Sequence, residues 1–314
     1  MFLDAHNHLH DDWLVPYRPR VLADLAAAGV RACVVNGTCE SDWPLVAALC
    51  AQSAQPSADS GHSTLNPQLS TPPPQLSTLS PQPSPPPVRL LPSYGLHPWD
   101  VGNRTPDWQF RLVAQLDADP SAFVGEIGLD RWILDHARPD DARLAGLRRA
   151  PLSEQIDTFR WQLALAAERN LPASVHCLEA FGALYDTLRD TPRPIRGFLL
   201  HAYNGPAEMV PTFAQLGAYF SFNGAFLDPR KDRLQALYAA LPADRLLVET
   251  DAPAMRLPAT RERFAPLNVP DGSHANHPAN LAATYAGLAE LRGATVESLA
   301  ATVAENFHRL FGRV

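Results

Sequence analysis

Short apolar runs alternate with longer stretches whose apolar residues recur every three or four positions, and the alternation repeats eight times along the chain. The short runs predict strands at residues 2–6, 32–36, 90–96, 123–127, 173–176, 197–201, 218–222 and 246–250, because runs of that length are too short for helices. The periodic stretches between them predict helices at 20–28, 43–51, 107–116, 154–169, 181–188, 206–216 and 231–240, with two more at 278–291 and 296–311 closing the chain. The first helix stops at Gly29 and the helix at 154–169 ends before Pro172, where these two residue types end helices. Strands alternating with helices build a parallel sheet. Eight such units predict an α/β fold of the closed (β/α)8 TIM barrel type. The alternative is an open doubly wound sheet, which normally carries a glycine-rich phosphate loop after its first strand. Here His6-Asn7-His8 stands at that place.

One stretch breaks the pattern. Residues 52–87 hold ten prolines and eight serines, Asp59 is their only charged residue, and Pro67-Gln-Leu-Ser-Thr71 recurs as Pro74-Gln-Leu-Ser-Thr78. So many prolines build neither helix nor sheet, and few apolar side chains remain to pack. The stretch is predicted to be a disordered, low-complexity insertion on the N-terminal face of the barrel, away from the catalytic end. A proline-rich docking peptide is the functional alternative. The rest of 1–314 reads as a single domain.

Composition narrows the function classes. A hydrophobic content of 46% supplies a packed core, and no apolar run reaches the length of a membrane helix. The first residues show no basic stretch followed by an apolar one, so a cytoplasmic location is expected, with no membrane and no obligate protein partner. Cys33, Cys39, Cys50 and Cys177 form no Cys-x-x-Cys pair and read as reduced thiols. A net charge of −7 argues against gripping nucleic acid over a broad basic face. It leaves room for an enzyme that meets a phosphate at a metal centre, where the ions supply the positive charge.

Candidate chemistry sits at the C-terminal ends of the predicted strands, which meet around one mouth in a barrel. The first strand leads to His6 and His8, which point the same way and can hold one metal ion together. The third ends at His97, the fourth carries Glu126 and Asp130, the fifth ends at His176, the sixth at His201, and the eighth carries Glu249 and Asp251. Together these strand ends supply six groups converging on one point, the ligand count of two adjacent ions. Glu249, taken to face away from Asp251, and Asp130 are read as structural.

The motifs Asp4-Ala-His6-Asn-His8, Gly95-Leu-His97-Pro98, Gly125-Glu126-Ile-Gly-Leu-Asp130, Val175-His176, His201-Ala-Tyr-Asn-Gly205, Ser221-Phe-Asn-Gly224 and Glu249-Thr-Asp251-Ala-Pro253 follow one another in order. Asn276-His-Pro278 and Asn306-Phe-His-Arg-Leu-Phe311 continue the series to the end. As a set they resemble the TatD family of metal-dependent deoxyribonucleases, within the amidohydrolase-like barrels. The resemblance implies a two-metal hydrolase of ester bonds, a 3'-5' exonuclease-type DNase acting on DNA or a small phosphodiester. It implies that His6, His8 and Asp251 hold one divalent ion (Mg, Mn or Zn), that His176 and His201 hold the other, and that Glu126 bridges them. Glu126 and Asp251 would be the catalytic pair, with Asp251 also taking a proton from the attacking water. His97 would orient a ligand or the substrate.

One departure stands out. The family usually shows His-x-Arg at the fifth strand, and here the sequence reads His176-Cys177-Leu178. Leucine donates no hydrogen bond to an oxyanion, so Arg131 or Arg256 takes that part or the substrate differs. Two other readings follow from the same residues: a hydrolase of C–N bonds on this barrel, or a barrel that serves as a non-catalytic scaffold. The first often needs a carboxylated lysine between the metals, and Lys231, the only lysine, lies in a predicted helix.

Overall fold

The computed structural model describes residues 1–54, 86–270 and 272–313. Eight parallel strands, β1 (Phe2–Asn7), β2 (Val30–Asn36), β3 (Arg89–Tyr94), β4 (Phe123–Asp130), β5 (Ala173–Leu178), β6 (Phe198–Leu200), β7 (Ala218–Asn223) and β8 (Leu246–Glu249), pair in chain order. Outside them lie α1 (Arg18–Ala27), α2 (Trp43–Ala54), α3 (Trp108–Ala118), α5 (Leu152–Arg169), α6 (Phe181–Asp190), α7 (Val210–Gln215), α8 (Asp232–Ala240), α9 (Leu281–Leu291) and α10 (Val296–Phe311). The strands are buried along most of their length because helices cover one face and the barrel interior the other.

Side chains close the ring. The Asp4 carboxylate accepts the Thr250 amide at 3.0 Å and its hydroxyl at 2.6 Å. Beside it Asp251 N–H donates to His6 O at 3.0 Å and His8 N–H to Ala252 O at 2.8 Å. Asp4 therefore belongs to the seam between β1 and the end of β8. Burial pushes its carboxyl up to about 7, against the lowering effect of the bonds from Thr250.

Several boundaries differ from expectation, each for a physical reason. Strand β4 runs to Asp130, three residues past the predicted 127, through a stretch whose glycines read as a loop. Gly128 sits at φ +145°, and a Cβ there would stand 2.0 Å from the His176 carbonyl oxygen. Glycine is what lets β4 lie against β5. Helix α2 continues to Ala54, so the predicted insertion begins later than residue 52. Its residue Ser53 accepts the Leu90 amide at 3.1 Å and so ties the helix to β3. Residues 55–85, the bulk of the predicted disordered insertion, lie outside the described residues.

Three short elements had no sequence signal. A short helix α4 (Trp132–Asp135) opens an excursion after β4, and β9 (Leu267–Asn268) pairs antiparallel with β10 (His274–Ala275) after β8. Helix α5 packs on β4 and carries two buried glutamines. Gln155 bonds both backbone groups of Asp130, and Gln162 both of Leu96. These bonds fix the ends of β3 and β4 at the mouth. Among the described residues no helix is long and apolar enough to cross a membrane.

Candidate metal centre

The six donors proposed from sequence meet at the mouth, arranged around the two carboxylate oxygens of Glu126. Its Oε2 faces His6 Nε2 at 3.4 Å and His8 Nε2 at 3.3 Å. Those two nitrogens also lie 3.6 and 3.4 Å from Asp251 Oδ1. Its Oε1 faces His201 Nε2 at 2.8 Å, His176 Nδ1 at 3.1 Å and His97 Nε2 at 3.4 Å. One buried carboxylate thus turns one oxygen to each of two donor sets. His201 also stacks on His6, with ring centroids 4.0 Å apart, and lies in one compact group with His6 and Asp251.

The outer ring nitrogens explain which inner ones are free to bind. His8 Nδ1 lies 2.8 Å from the Asn36 carbonyl oxygen, which only accepts, so in the neutral ring the proton sits on Nδ1 and Nε2 offers its lone pair. His6 Nδ1 lies 2.7 Å from Ser174 Oγ, and His176 Nε2 lies 3.3 Å from Asp130 Oδ2. A histidine held from behind by a carboxylate is a common metal-ligand arrangement. His97 differs from the others. Its Nδ1 accepts the Trp99 amide at 3.2 Å, so a neutral ring carries its proton on Nε2, toward Glu126. In that tautomer His97 offers a donor to the centre, although its ring also lies in one compact group with Glu126 and His176.

The electrostatics follow from burial and neighbours. Burial alone would raise the Glu126 carboxyl, but His201, His97 and His6 hold it well below the usual range. Burial alone would lower His8, His176 and His201, yet facing carboxylates carry all three above the ordinary imidazole value. His6, the most enclosed, is lowered by burial and by His201 beside it. Asp251 is held low by His8, His201 and His6 against its own burial. Its backbone sits at φ +52°, a left-handed turn that an aspartate tolerates.

Of two sequence readings, one needs correction. Asp130, read as structural, is held by the Ile133 amide and the Trp99 indole and stands behind His176 at 3.3 Å, with its backbone bonded by Gln155. Glu249 does not face away from Asp251. Glu249 lies inside the barrel, bonded to Ser221 and Asn223 and 3.8 Å from His201 Nδ1, the ring grouped with Asp251. Ser174 was missed, although its place two residues before His176 on β5 is a signal for the same face. The Asn36 carbonyl was missed because a backbone group leaves none.

The cations proposed to replace the missing arginine are already paired. Arg131 bonds Asp135 at 2.7 Å, and Arg256 holds Glu262 with two bonds of 2.9 and 3.2 Å. Neither shares a hydrogen bond or ion pair with the six donors. Lys231 packs over the Phe226 ring at 5.5 Å, in the connection between β7 and α8, and shares no hydrogen bond or ion pair with the six donors.

The donor set fits divalent cations. His6 Nε2 and His8 Nε2 stand 3.3 Å apart, and His176 Nδ1 and His201 Nε2 stand 3.2 Å apart. Each pair sits beside a carboxylate oxygen, and a cation between them would satisfy all three. Barrel and donor set together define a metal-dependent hydrolase. The chain belongs to the TatD-related DNase family, whose model matches residues 79–312. It is 31% identical over 219 residues to the 3'-5' ssDNA/RNA exonuclease TatD of Citrobacter koseri, across 69% of this chain and 76% of that protein. It is 30% identical to the Escherichia coli K12 protein of the same name over 223 residues, with the same shares. Among solved structures, the TatD homologue YJJV of Escherichia coli K12 matches with a TM-score of 0.75 and 25% identity, covering 100% of this chain and 98% of that one. A TatD-family hydrolase of Entamoeba histolytica matches with a TM-score of 0.72 at 15% identity, covering 99% and 98%, a likeness of fold. His6 and His8 precede the span that the family model matches and fall within these structural matches.

Proposed function

We propose that the chain is a two-metal phosphodiesterase that removes nucleotides from the 3' end of single-stranded nucleic acid. The observation that carries this is Glu126, with one oxygen toward His6, His8 and Asp251 and the other toward His176 and His201. These six residues would hold two divalent ions, and an imidazole majority favours zinc over magnesium. Such ions supply a water acidic enough to attack at neutral pH and positive charge for the phosphate oxygens. Asp251, held in its charged form, receives the proton that the attacking water gives up. His97 donates its Nε2–H to a phosphate oxygen and so orients the group under attack. Asp130 and Ser174 keep the His176 and His6 rings in place. Four free thiols support a reducing, cytoplasmic setting. A C–N hydrolase built on a carboxylated lysine is disfavoured, since Glu126 stands in the bridging place and Lys231 packs over Phe226.

The test is digestion of single-stranded DNA and RNA oligonucleotides labelled at either end, with zinc, manganese or magnesium. A ladder shortening from the 3' end is expected, and a chelator should abolish it. Intact oligonucleotides alongside hydrolysis of a cyclic amide would overturn the reading.

A further inference from the structure

We propose that Trp99 and Trp132 form a stacking platform for the terminal base of a single-stranded nucleic acid whose phosphate lies at Glu126, a proposal that rests on the phosphodiesterase reading above. The two indoles stack, with centroids 6.4 Å apart and planes 24° apart, and the Arg143 guanidinium lies 4.9 Å from the Trp132 ring and 5.8 Å from the Trp99 ring. The platform starts at the centre itself. Trp99 stands edge-on to His97 at 5.7 Å, and His97 stands 4.5 Å from His176. The Trp99 indole donates to Asp130 Oδ2 at 2.6 Å, the same oxygen that faces His176. From there the rings lead outward along the α4 excursion to the exposed Arg143.

The excursion has a small core of its own in Ile133, Ala137 and Leu144, which are buried. Trp99 and Trp132 lie at the margin of that core and stay only partly buried.

Charge leaves a part for stacking in holding the chain beyond the phosphate at the centre. The net charge is −7, Leu178 donates nothing to phosphate, and Arg131 and Arg256 are committed to Asp135 and Glu262. Broad phosphate contact is therefore not the source of affinity. Base stacking on aromatic rings supplies affinity without regard to sequence or backbone charge. An abasic terminus, which keeps the sugar and phosphate, should consequently bind poorly.

The experiment compares the metal-loaded wild type with Trp132→Ala and Trp132→Phe. Trp99 is left intact because it also holds Asp130. The substrates are one oligonucleotide with an ordinary 3' terminus and one ending in an abasic sugar. On the ordinary end, Trp132→Ala should raise KM about tenfold or more with kcat within about twofold, on the scale of one lost base stack. Trp132→Phe should recover most of the loss. The abasic end should show a high KM that Trp132→Ala leaves unchanged. Should Trp132→Ala not fold, tryptophan fluorescence of the wild type decides. An oligonucleotide with a phosphorothioate terminal linkage should quench it, and its abasic counterpart should not. Equal KM for both ends, equal quenching by both, or an equal loss on both in Trp132→Ala overturns the platform and leaves phosphodiester hydrolysis standing. Failure of the wild type to cut either end with any of the metals overturns both.

Discussion

Glu126 stands among five imidazoles, with Oε2 turned to His6 and His8 and Oε1 to His97, His176 and His201, so on the two-ion reading its negative charge is what would let two cations sit close together. Glu126→Gln keeps the shape and removes that charge. One ion per chain should be lost, and turnover should fall by about two to three orders of magnitude, the scale seen when a key electrostatic group is removed. Elemental analysis beside single-turnover kinetics checks both. The histidines also set a pH dependence. His8, His176 and His201 are carried above the ordinary imidazole value by facing carboxylates, so their protons must leave when metal binds. Metal affinity should therefore rise with pH and weaken as pH falls through neutral, by about tenfold per unit for each proton displaced. Calorimetry in buffers of different ionisation enthalpy should show net proton release. An affinity that stays level from pH 8 to pH 6 would contradict this. The inward-facing donors were legible as residues because histidines and carboxylates at strand ends form a pattern. Their supports were less so: Ser174 and Asp130 act through geometry that only the β4–β5 register reveals.

At the scale of elements, glycine and a single aspartate do much of the positioning. A Cβ at Gly128 would press against the His176 carbonyl, so Gly128→Ala should part β4 from β5 beside both Glu126 and His176. Melting should occur several degrees lower, with metal affinity reduced; an unchanged melting temperature would remove this account of β4. Asp42 precedes α2 and accepts bonds from the Thr38 amide at 2.8 Å and its hydroxyl at 2.9 Å, with His10 at 3.2 Å. Burial works against its charge, but these partners hold the carboxyl below its ordinary value. A carboxyl depressed in the folded state adds stability above its unfolded pKa, and that stability is lost as pH falls through the folded one. Asp42→Asn should cost about 1–3 kcal/mol at pH 7, with the gap to wild type closing below about pH 4. Chemical denaturation at both pH values checks it. Alternation of apolar runs made the eight strands and the main helices readable. The extension of β4 was hidden because its glycines carry no strand signal, and α4 is too short for helical periodicity to register.

For the whole molecule, the order of strands around the barrel follows from the order of units along the chain, which is why the fold was readable from pattern alone. Closure was expected from the eight units, but the contacts that make it were not legible: Asp4 meets Thr250 across 246 positions of sequence, beside backbone bonds from Asp251 to His6 and from His8 to Ala252. The proline-rich stretch breaks the pattern between α2 and β3. Joining Ala54 to Pro86 through a short linker should shift the melting temperature by only a few degrees, because loop-closure entropy changes slowly with length. A cut at Ala51 should cost more, since it removes the Ser53 bond to Leu90. Aggregation of the first variant would show that the stretch packs on the barrel. The central claim is that one carboxylate joins two cations at the mouth of this barrel. Metal titration of chelator-treated protein at pH 8, with bound metal and cleavage of a 3' oligonucleotide end followed together, tests it most directly. Activity should appear only as the second equivalent binds and should plateau at two ions per chain. Full activity at one ion or fewer, or undiminished cleavage in the chelator, would contradict it.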